Sequence, residues 1–212
     1  MKLVVCVPVC PTADLEVVAA RANAFTNMTV RRLPFGADSL EVRMMLNNDN
    51  RPRTDECAGL DFFHPADHII LAKYLHALED LDDEDTIIFM DDDVSVATIG
   101  RLHAQFPIWE HVLTFPVARL DGVFPLSRRN MDDPVNYLNC PHPGESIFSI
   151  CRPLWACCVR TARVILEPES LGNAHHVFEL PYMISESCRK NGVPIIFSLD
   201  IIGTETPWQT NP

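Results

Sequence analysis

Three consecutive carboxylates, Asp91, Asp92 and Asp93, end the apolar run Ile87-Ile88-Phe89-Met90. A run of apolar residues without polar alternation suits a strand buried on both faces. Unpaired carboxylates are too costly to desolvate to lie inside with it. They must sit at the strand's end, where an open α/β sheet takes its ligands. Hard oxygen donors there suit Mg²⁺ or Mn²⁺, leaving coordination positions for water and phosphate oxygens. The chemistry indicated is a metal-assisted site for a phosphorylated ligand.

The elements that position these acids alternate between strand and helix, which favours an α/β architecture. Leu3 to Val7 predicts the first strand, with Pro8-Val9-Cys10-Pro11-Thr12 as the loop at its carboxyl end. Thr12 is placed to cap a helix with Asp14 and Glu16 in its first turn and Leu15, Val18, Ala19, Ala22 and Phe25 on its buried face. Met28 to Leu33 predicts a strand and Ser39 to Leu46 a short helix. Asn47 to His64 is a long polar loop of the kind that often carries function. Pro65 opens a helix with the stripe Leu71, Tyr74, Leu75 and Leu78, and the acids from Glu79 to Asp85 form a solvated turn.

Beyond the triple Asp, Ile99, Leu102 and Phe106 predict another helix. His111 to Pro116 and Ile147 to Cys151 read as strands, and the Pro-, Asn-, Asp- and Gly-rich stretch 121–145 reads as a mobile segment over the site. Leu180 to Lys190 is a helix stopped by Asn191-Gly192. Val193 to Leu199 is the last strand, with a loose tail from Thr204.

At 212 residues the chain is long enough for a full core and is expected to form one domain. Its net charge of −12, with three lysines against fourteen arginines, shows no basic stripe for nucleic acid. No apolar stretch is long enough to span a bilayer, and the first residues lack the pattern of a signal peptide, so a cytoplasmic location is expected. The eight cysteines include no CxxC pair and several lie in apolar runs, the pattern of reduced core thiols. Cys140 and His142 leave a zinc site as the minority reading.

Met90-Asp91-Asp92-Asp93-Val94, then Phe106-Pro107-Ile108-Trp109, then Thr114-Phe115-Pro116-Val117-Ala118-Arg119, resembles the exostosin-type module of nucleotide-sugar glycosyltransferases. Val177-Phe178-Glu179 resembles the acidic motif that opens that family's late helix. In its small size the chain is similar to the glycosyltransferase domain that chloroviruses encode for their major capsid protein, which would place it in host cytoplasm. The resemblance implies the GT-A fold, a Rossmann-related, mixed but mostly parallel sheet flanked by helices. Residues 1–95 would form the nucleotide-binding half and 96–212 the acceptor-side half.

It further implies a UDP-sugar donor, a glycan or glycoprotein acceptor, and Mn²⁺ or Mg²⁺. Asp93 would ligate the metal, and Asp91 would bind it through water or hold the ribose. Asp92 would face the donor sugar. Pro8, Val9 and Thr12 would wall the uracil and ribose, Arg53 would reach the diphosphate, and Glu179 would be the base. The family's acidic pair is Glu-Asp, whereas this chain has Glu179-Leu180. That departure leaves the base and the stereochemical outcome open and keeps a non-catalytic nucleotide-sugar-binding module in view.

Asp91-x-Asp93-x-Ser95 also resembles the first motif of haloacid-dehalogenase-type phosphohydrolases, in which the first Asp attacks phosphorus. That motif normally stands on the first strand, and a later lysine is required. Only Lys190 follows it here. The acids could alternatively favour the N-terminus of a following helix. His175-His176, Trp109 and Trp155 read as solvated or core residues before any ligand role.

Overall fold

The computed structural model describes residues 1–29, 33–46, 57, 60, 66–99, 110–118, 127–128, 137–138, 144–147, 150, 153–172 and 179–205. The opening apolar run forms β1 (Lys2–Pro8), followed by α1 (Leu15–Thr29). Asp14, not Thr12, caps this helix: its Oδ1 accepts the N–H groups of Glu16 at 3.0 Å and Val17 at 3.3 Å. Val18, Ala22 and Phe25 are buried as the helical period requires, but Leu15 is 49% exposed because it opens the helix beyond the sheet.

The helix continues through Met28 and Thr29, where a strand was expected. The expected helix at Ser39 to Leu46 is instead β2 (Ser39–Met45), paired in parallel with β1 from Lys2↔Ser39 to Pro8↔Met45. Leu, Glu, Arg and Met are good helix formers. Here the unpaired backbone edge of β1 outweighs that preference by pairing along all seven residues.

From there α2 (Ala66–Ala77) carries the predicted stripe, with Leu71 and Tyr74 buried. The acidic turn after it is solvated except at Asp85, whose carboxylate accepts the backbone N–H groups of Lys2 and Asp82. Next come β3 (Thr86–Met90) and β4 (Val94–Ile99), whose last residue, Ile99, is a strand residue where the sequence predicts the start of a helix. Leu102 and Phe106 lie outside the described residues, as does most of 121–145.

The remaining strands are β5 (Val112–Thr114), β6 (Val117–Ala118), β7 (Ser127–Arg128), β8 (Tyr137–Leu138), β9 (Ser146–Ile147) and β10 (Leu154–Cys158). Helices α3 (Val159–Ile165), α4 (Pro168–Gly172) and α5 (Leu180–Lys190) follow. The chain then enters β11 (Ile195–Phe197) and β12 (Ile201–Glu205). Gly192 takes φ +66° after α5, the left-handed stop that its sequence position predicts. Among the described residues no helix is long and apolar enough to cross a membrane.

The central sheet has seven strands among the described residues, in the order β2-β1-β3-β10-β5-β11-β9. β2, β1, β3, β5 and β11 run one way, and β10 and β9 run against them. Alternate residues feed two cores. Val4, Cys6, Phe89, Trp155 and Cys157 face α2, α3 and α5, while Leu3, Val5, Ile88, Met90 and Leu154 face α1 and the small sheet β4-β12-β6. The described cysteines carry thiols rather than disulfides, and all but Cys10 are buried.

Trp155 anchors the first core. It lies opposite Phe89 across the β3–β10 pair, their rings stacked at 4.1 Å, with Tyr74 edge-on to the indole at 6.0 Å. Its Nε1 meets no acceptor among the described residues. Trp155→Ala is expected to lower unfolding free energy by about 3–5 kcal/mol in urea titration. Trp155→Phe should cost much less, because the indole N–H contributes no bond.

Candidate functional site

Parallel pairing of β1 with β3, in register from Leu3↔Thr86 to Cys6↔Phe89, brings the loop after Pro8 beside the acids after Met90. The acids occupy a tight turn between β3 and β4. Asp91 N–H donates to the Pro153 carbonyl at 3.0 Å, and Val94 N–H returns to the Asp91 carbonyl at 3.1 Å. Because a strand follows directly, these acids do not cap a following helix, and that explanation for the triplet is removed.

Within the turn the three side chains have different surroundings. Asp92 is turned inward at 7% exposure, and its Oδ2 accepts the Cys10 N–H at 2.5 Å. Its backbone carbonyl accepts Arg21 Nη1 from α1 at 2.5 Å. Lys73, from the middle of α2, is 2% exposed and donates its Nζ to the Val9 carbonyl at 2.5 Å. Burial pulls the Lys73 ammonium below its ordinary pKa, and the nearby Asp92 charge works against that shift. Pro8 and Val9 are buried, Cys10 and Thr12 exposed, and Thr12 Oγ1 lies 3.3 Å from Cys10 Sγ.

Asp93 is half-buried, and its pKa is pushed up to about 6. Burial is the main cause, followed by the charges of Glu205 and Asp92, with the Arg21 guanidinium acting in the opposite direction. Glu205 was missed in the sequence because the chain beyond Thr204 was expected to be loose. It belongs to β12, where it pairs opposite Val94. The run Ile201-Ile202 with Gly203 was the available signal. A Cβ on Gly203 would lie 3.0 Å from Val94 Cγ1, 3.1 Å from Val117 Cγ2 and 3.2 Å from Leu154 Cδ2. A side chain there would press on all three neighbours, so glycine eases the close approach of β12, the strand that carries Glu205.

Glu179 stands at the N-cap of α5, exposed, and makes no capping bond with its own side chain. Asp67, fully buried in the first turn of α2, performs that task by accepting the Leu180 N–H on Oδ2 at 2.9 Å. Both helices run back along the sheet into parallel strands, β3 and β11, so their N-termini lie at the sheet's carboxyl edge. Glu179 therefore shares an edge with the aspartates. Arg53, the Cys140–His142 pair and His175-His176 lie outside the described residues.

The donor set fits a hard divalent cation. Asp91, Asp93 and Glu205 offer oxygen only, and the raised pKa of Asp93 reflects its burial first and the neighbouring charges of Glu205 and Asp92 second. Among the described residues no three such side chains converge to enclose an ion by themselves.

No family model matches the chain, and no curated protein sequence matches it significantly. Solved structures do. GalNAc-T7, crystallised with UDP, GalNAc and Mn²⁺, superposes with a TM-score of 0.54 at 14% identity over 100% of this chain. The chain spans 44% of that protein. A197 from STIV matches with a TM-score of 0.49 at 12% identity, over 98% of this chain and 86% of its own. A Drosophila β1,4-galactosyltransferase 7 mutant in complex with manganese, UDP-Gal and xylobiose matches at 0.43 and 14%, over 92% and 64%. The chain has the GT-A glycosyltransferase fold, with a mixed, mostly parallel sheet flanked by helices.

Proposed function

We propose that this chain is a metal-dependent glycosyltransferase that moves a sugar from a UDP-sugar to a glycan hydroxyl, in the synthesis of glycoprotein glycans. One observation carries the reading: on a GT-A sheet, the turn Asp91–Asp93 lies at the carboxyl edge beside the Pro8–Thr12 loop, with Asp93 held near pKa 6. The Mn²⁺ and UDP found with the GalNAc-T7 neighbour support the choice of ligands.

In this reading Asp93 holds Mn²⁺ or Mg²⁺, assisted by Asp91 through water and by Glu205. When bound, the metal supplies Lewis-acid stabilisation of the departing diphosphate. Pro8, Val9 and Thr12 wall the uracil and ribose, and Arg53 pairs with the diphosphate through its planar guanidinium. Asp92 serves donor binding through the loop it holds. Glu179, at the N-cap of α5 on the same edge, takes the acceptor's proton.

Calorimetry with UDP, GDP and CMP, each with and without Mn²⁺, tests the reading directly. UDP should bind only with metal, and Asp93→Ala should weaken that binding by about two orders of magnitude, about 2.8 kcal/mol. Unchanged UDP binding in the variant removes Asp93 from the site. Hydrolysis of p-nitrophenyl phosphate without a sugar acceptor would instead favour the phosphohydrolase reading.

Glu179→Gln should keep donor affinity and lower kcat by about 10²- to 10⁴-fold in a transfer assay. Donor binding by the wild type, with neither transfer nor donor hydrolysis, identifies a binding module instead.

Asp93 also sets a pH dependence. Its folded-state pKa, about 6, exceeds its ordinary 3.8, so the native state binds the extra proton first. The group therefore destabilises the metal-free protein above pH 6, and that penalty is relieved as pH falls from 6 towards 4. Asp93→Asn should accordingly raise the Tm of metal-free protein at pH 7.5 and have less effect at pH 4.5. The increase in Tm caused by Mn²⁺ in wild-type protein should shrink as pH falls through 6. A pH-independent Mn²⁺ shift would contradict this role.

A further inference from the structure

The carbonyl that Lys73 holds and the N–H that Asp92 holds belong to the same peptide group, Val9–Cys10. In a trans peptide these two groups point in opposite directions, with partial negative charge at oxygen and partial positive charge at the N–H. The ammonium meets the negative end and the carboxylate meets the positive end. Turning the peptide over would set each end against a full charge of its own sign, with little water present to screen either, since Lys73 and Asp92 are both buried. Such charge-assisted bonds are about twice as strong as neutral ones. Cys10 also precedes Pro11, which confines its backbone to extended conformations. One orientation of the loop is enforced.

Asp92 is also fixed from behind, because Arg21 Nη1 holds its backbone carbonyl. The loop after β1 and the acidic turn after β3 thereby become one rigid piece, joined by side chains from α1 and α2. We propose that Lys73 and Asp92 are positioning residues that clamp the Val9–Cys10 peptide and so fix the distance between the nucleobase wall and the metal-bearing acids. The clamp acts as a gauge for a nucleoside diphosphate. Lys73 is enclosed and spends its charge on the backbone.

This inference rests on the functional reading above, and its test separates the two. Affinities for UDP and for inorganic pyrophosphate, both with Mn²⁺, are measured on the wild type, Lys73→Met, Asp92→Asn and the double variant. Lys73→Met should weaken UDP binding by about tenfold or more and leave pyrophosphate within about twofold, because pyrophosphate does not span the gauge. Asp92→Asn keeps the size and one acceptor, so it should show a smaller loss in the same direction and serves if Lys73→Met does not fold. The double variant should lose less than the product of the single losses. Amide exchange of Cys10 should accelerate in the variants while that of β3 stays protected. Equal losses for UDP and pyrophosphate, or unchanged UDP binding, overturn the clamp. A wild type without metal-dependent UDP binding overturns the functional reading, and the clamp's proposed role falls with it.

Discussion

The parallel pairing of β1 with β3 is the constraint on which the candidate site depends. Both strands are apolar along their length and covered on both faces, so their backbones have no partners but each other and their neighbours. Running in the same direction, they release their chains at the same edge. There the first polar residues arrive together: the Pro8–Thr12 loop from one strand and three aspartates from the other. Shortening either strand by one residue would move one of these groups off the shared edge and turn its side chains to the opposite face.

Electrostatics at that edge divides the acids between two tasks. Asp92 is compensated from within the protein by a backbone N–H and the nearby ammonium of Lys73. Asp93 is not compensated to the same degree, and Glu205 adds to its burden. A protein carrying twelve net negative charges holds this concentration of carboxylates only at a cost, which a divalent cation would offset. Gly203 suits the same arrangement: β12 passes close to Val94, Val117 and Leu154 as it carries the additional acid towards the turn.

Much of this was legible beforehand. The first strand, the helix after Pro65, the strand ending at the aspartates, the α5 helix with its glycine stop, and the reduced thiols all follow from apolar period and terminal signals. The failures share a cause. The segment from Ser39 to Met45 has helix-forming residues and became a strand because β1 offered it an edge. Residues Val94 to Ile99 and Ile201 to Glu205 are short segments with weak patterns, and they form strands by pairing with each other and, for the second, with β6 in the small sheet. Thr12 and Asp14 compete as caps two residues apart, and the local turn decided for Asp14.

By itself the sequence determined the chemistry available: oxygen donors after a buried strand, a proline-flanked loop after another, an acid before a late helix. Those features are local, set by residue type and spacing, so they can be read without coordinates. Only the tertiary structure decided which of these groups share charge. Lys73 and Asp67, central to the edge's organisation, reach partners 64 and 113 residues away. Glu205 meets acids more than a hundred residues earlier in the chain. Contacts of that separation depend on which strands pair, a global competition among packings that no local pattern records.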